Sequence, residues 1–410
     1  DVEDVRPVDY TSARDAPDPL AADPPFQPSF EDREGAPDRV FASVDDDAYE
    51  RLVSTWEGVL RDAGAADADL LHLNHLTPMN EAAARAFPDV PVVGHLHGTE
   101  VLMLNAIEDG PPSGWDHATA WADRMRGWAR RCERLLVLSP DAVKRVPDLL
   151  GVDPARVVWA PNGFEPDLFD RRPIDRLALW RKWLVEEPRG WDESGEPGSV
   201  RYSESDLEAL QGTVLVYSGR YTEVKRIPLL IRAFAAARSR FESPAALVLL
   251  GGYPGEWEGE HPLSVVRSAG ASDVFLAGWR GHDDLADGLN ASDCVVLPSV
   301  HEQFGQVLVE GMACGLPCVA VNAHGPATIV DDGSTGWLVP PDDQEALEEA
   351  LVEVVNDPEE RRRRGGAAYE VARERYSWPS LVEKLGSVYD EVRAGREPAG
   401  EEPEALIDRG

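Results

Sequence analysis

Two glutamates, Glu302 and Glu310, lie in the segment whose residue types best suit chemistry, HEQFGQVLVEGMACGLPCVAV over residues 301–321. A helix is expected to open at Gly305 and Gln306. Its first N–H groups would attract an anion, and Gly305 would let a phosphate approach the backbone. Glu310 lies four residues after Gln306, so the two side chains share a helix face. These carboxylates suit sugar and ribose hydroxyls; alternatively, Glu302 only complements the helix dipole and Glu310 is solvated.

A second segment, YSGRYTEVKR over residues 217–226, carries two cations. Gly219 ends a predicted strand, and Arg220 and Lys225 follow in the next loop or helix start. Arginine as a planar fork and lysine as a point charge together suit a diphosphate. The alternative is a pair of surface bases. Lysine is scarce, at four of the 40 basic residues, which weighs against that alternative.

A third segment, VVGHLHGTE over residues 92–100, places His97 at the carboxyl end of a predicted strand. His95 lies two residues earlier, on the same side of the strand but deeper in the sheet. We therefore interpret His95 as a core histidine and His97 as the one that faces a ligand.

Strands and helices alternate around these segments, which predicts parallel sheets. We expect an α/β protein of two doubly wound domains, with ligands bound beyond the carboxyl ends of the strands in an interdomain cleft. Residues 170–211 break the alternation and are interpreted as a linker or insertion. The predicted strands are 69–76, 90–96, 134–139, 156–161, 213–219, 246–252, 273–278, 293–298 and 317–321. The predicted helices are 49–63, 79–87, 115–132, 140–150, 227–240, 262–269, 282–290 and 305–314, with more beyond 343.

Taken together, the three segments resemble the retaining glycosyltransferases of the GT-B fold, glycosyltransferase family 4, over about residues 69–393. The family's two-glutamate signature is matched by Glu302, Phe304, Gly305, Glu310, Met312, Ala313, Gly315 and Pro317. Its diphosphate clamp is matched by Gly219, Arg220 and Lys225, and its histidine by His97. Its turn after the first domain is matched by Asn162, Gly163, Phe164, Glu165 and Phe169.

The resemblance implies a division of the chain and a donor. The N-terminal, acceptor-side domain would span residues 1–169, and the nucleotide-sugar domain residues 212–377. A helix over 378–393 would cross back to the first domain, and the acidic tail 394–410 is expected to be disordered. The implied reaction is transfer of a hexosyl group from a nucleotide-diphosphate sugar, with UDP-hexose favoured, to a sugar or lipid acceptor that the sequence does not identify.

The resemblance also implies residue roles. Arg220, Lys225 and the helix N-terminus at Gly305 and Gln306 would stabilise the departing diphosphate, and Phe304 and Val307 would contribute to substrate binding. Glu302 would bind sugar hydroxyls, Glu310 the ribose, and His97 would lie near the sugar's 6-hydroxyl and reacting carbon. The base would sit near Trp279 and Arg280, and Asn162 would contribute to substrate binding. Retention would follow from attack on the face that the diphosphate leaves, assisted by a donor phosphate oxygen, with no protein nucleophile.

No metal cofactor is expected, because no D-x-D follows a suitable strand. Asp45-Asp46-Asp47 is interpreted as a helix start.

Two departures from the family pattern stand out. Residues 1–45 contain no opening strand and no Gly-Gly loop, and we expect that element upstream of residue 1. In the loop over residues 324–330, Thr328 stands where the family often has a glutamate, so a carboxylate contact would be lost while the turn survives.

Alternative functions remain open. A GT-B sugar phosphorylase or a nucleotide-sugar epimerase would share the architecture, and a non-catalytic nucleotide-sugar-binding protein would fit the missing Gly-Gly loop. Trp180, Trp183 and Trp191 could contact an acceptor, but we favour a packed interdomain helix. The basic run 361–364 is interpreted as a solvated helix face.

Charge and composition restrict the partners. The 410 residues include 75 acids and 40 bases, a net charge of −35, which argues against nucleic acid. Acid excess with few lysines resembles proteins of salt-accumulating halophiles. The four cysteines are interpreted as core residues of a cytoplasmic protein, with Cys314 and Cys318 as half a metal site the disfavoured alternative. No transmembrane segment is predicted, and peripheral membrane contact stays open.

Overall fold

The computed structural model describes residues 5–31 and 38–395. The chain forms two compact units, one made of residues up to Ala160 together with those from Glu383 onward, the other of Pro161–Val382. Both are α/β units with parallel sheets, which confirms the predicted fold class. The first unit ends nearer the N-terminus than the predicted boundary at residue 169, because the turn that begins at Asn162 belongs to the second unit.

Unit 1 contains a four-stranded parallel sheet in the order β1-β2-β3-β4, with β1 Leu71–Asn74, β2 Val92–Leu96, β3 Arg134–Val137 and β4 Val157–Trp159. All four strands were predicted. The helices of eight or more residues in this unit before residue 160 are Asp46–Asp62, Pro78–Ala86, Thr99–Asp109, Ala118–Arg131 and Pro140–Leu150. Asp45 accepts a hydrogen bond from the N–H of Ala48 and so caps the first of these, which confirms the acidic triplet as a helix start.

One helix of unit 1, Thr99–Asp109, was not predicted. Its sequence, TEVLMLNAIED, has no strong amphipathic pattern, because apolar residues occur on most of its sides. Among the described residues before Val44 the chain is largely irregular, with short helical turns at Thr11–Arg14, Pro19–Ala21 and Phe41–Ser43.

The last helix, Trp378–Arg393, joins the two units in sequence. From Glu383 onward it packs within unit 1, where Val388 and Val392 share a core cluster with Val93 and Leu136. The hydroxyl of Tyr389 lies 2.6 Å from Nδ1 of His72. From Glu383 onward the helix therefore belongs to unit 1. The expectation of a disordered tail falls on residues that, apart from Ala394 and Gly395, lie outside the described chain.

Unit 2 contains a six-stranded parallel sheet in the order β10-β9-β8-β5-β6-β7. Its strands are β5 Thr213–Gly219, β6 Ala245–Gly251, β7 Val274–Gly278, β8 Cys294–Leu297, β9 Cys318–Val321 and β10 Gly336–Val339. Its helices include Arg176–Arg181, Ile227–Ala237, Pro262–Ala269, His282–Asn290, Gln306–Ala313, Pro326–Ile329, Gln344–Asn356 and Pro358–Tyr376. Strand β10 and the short helix before it were not predicted. Successive strands are added toward one edge of the sheet from β5 to β7 and toward the other edge from β8 to β10. The strand order therefore reverses between β5 and β8, the position where such sheets bind ligands.

Three groups of side chains were assigned from the sequence to the core or to the surface. Trp180, Trp183 and Trp191 are fully buried, which favours packing over acceptor contact. All four cysteines are buried and free, as core residues should be. The basic run is corrected at Arg364, which is buried against the Trp337 ring and donates to the Gly336 carbonyl.

Candidate functional site in unit 2

The reversal point of the unit 2 sheet brings two loops together. Strands β5 and β8 pair directly, with Leu215 opposite Cys294, so the loops that follow them leave the same edge. The carbonyl of Val224, in the first loop, accepts from the Val300 N–H at 2.9 Å and from the Ser299 hydroxyl at 3.2 Å, both in the second. These bonds fix the spacing between the segment that carries Lys225 and the segment that carries Glu302.

Lys225 and Glu302 form an ion pair across these loops. Their side chains are 16% and 18% exposed, so the pair is largely shielded from water while still accessible. The interpretation of Glu302 as only a partner of the helix dipole is therefore incomplete, because its carboxylate contacts the lysine predicted to bind phosphate. An anion entering this point would compete with Glu302 for the Lys225 ammonium group.

A helix N-terminus lies beside the pair. Gly305 precedes the helix Gln306–Ala313 with φ of 102°, a left-handed conformation that favours glycine. Gly325 packs against the same turn, where a side chain would collide with the backbone of Phe304 and Gln303 at about 2.5 Å. The first N–H groups of the helix, beginning at Gln306, have no acceptor within it. The local sequence thus builds the predicted helix start, with Phe304 and Val307 buried beneath it.

Arg220, the other predicted cation, is exposed at the end of β5. Its carbonyl accepts a 2.7 Å hydrogen bond from the hydroxyl of Tyr217, whose ring is buried below. Burial raises the pKa of Tyr217 well above its ordinary value; Glu302 raises it further and Arg220 lowers it. Tyr217 therefore lies within electrostatic range of both sides of the site, a role that the sequence did not suggest.

Glu310 is buried, with 3% exposed, and is not the solvated residue of the alternative interpretation. Its Oε1 atom lies 3.2 Å from Nε2 of His282, at the start of the helix His282–Asn290. Burial raises the pKa of the Glu310 carboxyl, and the hydrogen bonds from His282 and Gln306 act in the opposite direction. The contact with Gln306 agrees with the predicted shared helix face.

A cavity of about 580 Å³ opens at the carboxyl ends of β5, β6 and β7. Its lining consists of Ser218, Gly219, Arg220, Leu250, Gly251, Gly252, Tyr253, Glu256, Trp279, Arg280, His282 and Leu285. Tyr253 and Trp279 are exposed, and their ring centroids lie 6.4 Å apart in an edge-to-face arrangement. Aromatic faces beside an arginine and a carboxylate suit a planar heterocycle joined to a charged group.

Arg280 contributes to this cavity differently from the expectation that its surroundings bind a base. Its guanidinium is buried and donates to the carbonyls of Trp183 at 2.9 Å and Glu187 at 3.2 Å. Burial lowers the pKa of Arg280 to about 10. The charged end of this residue therefore holds the 182–187 segment, while Trp279 remains available to a ligand.

Two further predicted positions lie around the helix that starts at Gln306. The side chain of Gln306 donates to the Gly163 carbonyl at 2.9 Å, which fixes the turn that contains Asn162. The hydroxyl of Thr328 donates to the Gly325 carbonyl at 2.7 Å, inside its own turn. The loop conformation is thus retained with a threonine in place of the family's glutamate.

His97, the remaining predicted site residue, lies in unit 1. Its Nε2 atom is 2.8 Å from Oδ1 of Asn74, and its ring stacks on His95 with centroids 4.6 Å apart. His75, on its other side, has Nδ1 2.7 Å from the fully buried Glu100. Burial lowers the pKa of His97, and His75 lowers it further, so this imidazole is neutral near pH 7.

His95 is the deeper of the two histidines, as predicted. Burial, with the neighbouring His97 and His72, lowers its pKa to about 3. The rings of His72 and His95 stack at 5.3 Å. The structure therefore places the imidazoles of His72, His95 and His97, whose pKa values are all lowered by burial, in a row along β1 and β2, which sequence spacing indicated only for β2.

Tyr217, Tyr253, His282 and Asn74 are the site residues that sequence reasoning missed. The buried position of Glu310 on an apolar helix was a usable signal, since a buried carboxylate needs a donor. Among the described residues, no group of three or more His, Cys, Asp or Glu side chains is arranged to hold a metal ion. None of the described helices is long and apolar enough to cross a membrane.

The chain is similar to known protein families, relatives and solved structures. Two family models match the chain: Glycosyltransferase Family 4 over residues 14–168 and Glycosyl transferases group 1 over residues 201–371. The D-inositol 3-phosphate glycosyltransferase of Saccharomonospora viridis is 35% identical over 48% of this chain and 47% of its own length. The enzyme of the same name from Kineococcus radiotolerans is 32% identical over 73% of this chain. The alignments thus span 47% and 66% of these relatives' lengths.

Solved structures show the same fold. Sucrose-phosphate synthase from Thermosynechococcus elongatus superposes with a TM-score of 0.62 at 21% identity, covering 85% of this chain and 79% of its own. Anabaena HepE in complex with UDP-glucose gives a TM-score of 0.62 at 20% identity, covering 83% and 82%. Identities this low establish similarity of fold only.

Proposed function

This chain belongs to the GT-B glycosyltransferases of family 4 type, and from that premise we propose that it transfers a hexosyl group from a UDP-hexose to an acceptor with retention of configuration. The observation that carries the proposal is the Lys225–Glu302 pair beside the helix start at Gln306. A cation, a helix N-terminus and a carboxylate meet where β5 and β8 end. This combination suits a ligand with a diphosphate and a hydroxyl-rich group.

The leaving diphosphate is the main catalytic demand in this proposal. Its negative charge grows as the bond to the sugar breaks, so donors fixed beforehand stabilise the transition state more than the ground state. Lys225 supplies a compact charge, Arg220 a planar fork, and Gln306 opens a helix whose dipole is positive at that end. Glu302, displaced from Lys225 by the diphosphate, becomes free to accept hydrogen bonds from the sugar.

The nucleoside would occupy the cavity of about 580 Å³. Trp279 and Tyr253 offer faces for the base, and Glu310, at its edge through His282, supplies the carboxylate for the ribose. The acceptor hydroxyl would lose its proton to a donor phosphate oxygen as it attacks, with His97 of unit 1 assigned to the sugar by family resemblance alone. The similarity in fold to Anabaena HepE, whose structure contains UDP-glucose, supports a UDP-sugar as donor.

Two finer parts of the proposal concern the metal and the acceptor. Transfer proceeds without a divalent metal, because Lys225, Arg220 and the helix start already oppose the diphosphate charge. The relatives named D-inositol 3-phosphate glycosyltransferase make that phosphorylated cyclitol the first acceptor to try.

The test is a donor and acceptor screen in molar KCl, with and without EDTA. UDP-, GDP- and ADP-hexoses are offered with D-inositol 3-phosphate, simple sugars and lipid acceptors, and nucleoside diphosphate release is measured. NMR of the product then assigns its anomeric configuration. We expect UDP release in EDTA and a retained configuration. An inverted product would contradict retention, and release that requires inorganic phosphate would contradict the transferase assignment. Activity that EDTA abolishes at an unchanged melting temperature would contradict transfer without a metal.

A further inference from the structure

His282 separates the buried Glu310 from the cavity that would receive the nucleoside. The imidazole contributes to the cavity wall, and its side chain is 61% exposed. Glu310, by contrast, is 3% exposed, and its carboxylate is bonded to that imidazole. A ribose that reaches Glu310 from this side must therefore share the carboxylate with His282.

The orientation of the His282 ring is fixed by its surroundings. Its edge packs against the Phe169 ring, with centroids 4.9 Å apart and planes at 67°. Gly281 precedes the helix in an extended conformation, so His282 is its first residue. The exposed imidazole is thus held by a ring contact with Phe169 and a hydrogen bond with Glu310.

The chemistry of the pair explains why that direction matters. An ionised carboxylate only accepts hydrogen bonds, and both hydroxyls of a ribose can donate to it. A protonated carboxyl group offers a donor of its own and loses part of that capacity. Burial favours the protonated form of Glu310, whereas the hydrogen bonds from His282 and Gln306 favour the ionised form.

We infer that His282 is a positioning residue for nucleotide binding, which keeps Glu310 oriented and ionised so that it can accept the ribose hydroxyls. The inference rests on the proposed function, since it takes Glu310 as the ribose ligand. It assigns to His282 no contact with the reacting atoms.

Other charged groups near the pair are accounted for. On the helix of His282, Asp287 is paired with Arg172 at 2.6 Å, and Asp283 and Asp284 point from its first turn. Arg220, Glu256 and Arg280 line the same cavity, and the buried Cys314 lies within electrostatic range of Glu310. These groups are present in both the wild type and the His282 variants. The ratio of their nucleotide affinities at each pH therefore reports the effect of His282.

The experiment measures binding of UDP, 2′-deoxy-UDP, 3′-deoxy-UDP and inorganic pyrophosphate by calorimetry. The proteins are the wild type, His282→Ala, His282→Gln and the control His117→Ala, all in molar KCl between pH 5.5 and 8. For His282→Ala we expect UDP to bind about 3- to 10-fold more weakly at pH 8 and pyrophosphate to bind unchanged. We expect removal of one ribose hydroxyl to weaken binding to the wild type about tenfold and binding to this variant only about twofold.

The pH profile provides the sharper readout. Loss of the His282 hydrogen bond raises the pKa of Glu310 further, so the deficit of His282→Ala should grow as the pH falls. The phosphate titration of UDP cancels in the ratio of variant to wild type. In His282→Gln the amide restores the hydrogen bond without titrating, so affinity should recover at pH 8.

The two hypotheses fail in different ways. If the wild type binds none of the nucleotides, the proposed function fails. If the wild type binds UDP but His282→Ala keeps the wild-type affinity, deoxy-nucleotide penalties and pH profile, the assignment of His282 fails while the proposed function stands. A fall in affinity that is equal for UDP and pyrophosphate would also overturn the assignment, because it would indicate general damage to unit 2.

Discussion

In unit 2 the predicted phosphate-binding lysine is held by an opposite charge, whereas in unit 1 the predicted histidine is held by a stacked imidazole and an uncharged amide. Lys225 pairs with Glu302, and a ligand anion can replace that carboxylate. His97 stacks on His95 and bonds to Asn74, and protonation of neighbouring rings would introduce repulsion. We therefore expect the first arrangement to exchange partners when a ligand binds, and the second to be stable only while its rings stay uncharged.

The largest effect is expected in unit 2, on turnover. Lys225→Ala or Arg220→Ala removes a charge that opposes the leaving diphosphate, and kcat should fall by about 10²–10³. UDP release from the best donor measures it, with melting temperature as the check on folding. The control is Lys144→Ala, an exposed lysine of unit 1. Normal turnover by either site variant would show that the clamp assignment is wrong.

In unit 1 the expected effect is on stability against pH. Burial holds the pKa of His95 at about 3, below the ordinary value near 6.5 of an unfolded chain. The unfolded state thus binds the proton first, and stability present above pH 6.5 is lost as the pH falls from 6.5 toward 3. The slope from this residue alone is up to ~1.4 kcal/mol per pH unit.

Urea unfolding at pH 7 and pH 5 measures that slope. His95→Gln should show a smaller loss between the two pH values than the wild type, while His301→Gln, at an exposed position of unit 2, should behave as the wild type does. Equal losses in all three proteins would argue against a neutral histidine row as the acid-sensitive feature of unit 1.

A smaller effect separates the two functions of Glu302. Glu302→Gln frees Lys225 and removes a negative charge near the diphosphate, so UDP should bind about 3- to 10-fold more tightly. Sugar transfer should fall in the same variant, because the carboxylate for the sugar hydroxyls is gone. Glu223→Gln is the matched control, since it removes a charge from the same loop, where the carboxylate lies against Gly259. Weaker UDP binding by Glu302→Gln would contradict the exchange of partners.

The smallest effect is common to both units. With a net charge of −35, self-repulsion should destabilise the fold in dilute buffer, and screening should reduce it as salt rises. We expect the melting temperature to increase by roughly 5–10 °C between 0.1 and 2 M KCl. A melting temperature that does not change over this range of KCl would rule out the halophile interpretation.

Much of the architecture could be predicted from the sequence, because the spacing of apolar residues there matches the side of each helix or strand that is buried. Buried runs such as ALVLLG, now β6, have few alternatives to a central strand. Helix Thr99–Asp109 and strand β10 were missed because their apolar residues show neither a helical stripe nor a long run. Gly336 opens β10 at a point where any side chain would meet the Cys318 carbonyl, a tertiary constraint with no local signal.

The candidate site residues were predictable where the end of a strand or the start of a helix determines their position. Glu302, Lys225 and the helix start at Gln306 follow from strand ends and helix geometry. Arg280 was not predictable in detail, since only the fold reveals that its guanidinium binds the carbonyls of Trp183 and Glu187. His282 was missed for the same reason: its partner lies 28 residues away, on another helix.

The central claim is that a nucleotide diphosphate replaces Glu302 on Lys225 without a metal ion. Calorimetric titration of UDP into the wild type and Lys225→Ala, in molar KCl with EDTA and again with Mg²⁺, tests it most directly. The account predicts binding to the wild type in EDTA, little change with Mg²⁺, and at least tenfold weaker binding to Lys225→Ala. Equal affinity for the two proteins, or binding by the wild type only when Mg²⁺ is present, would contradict it.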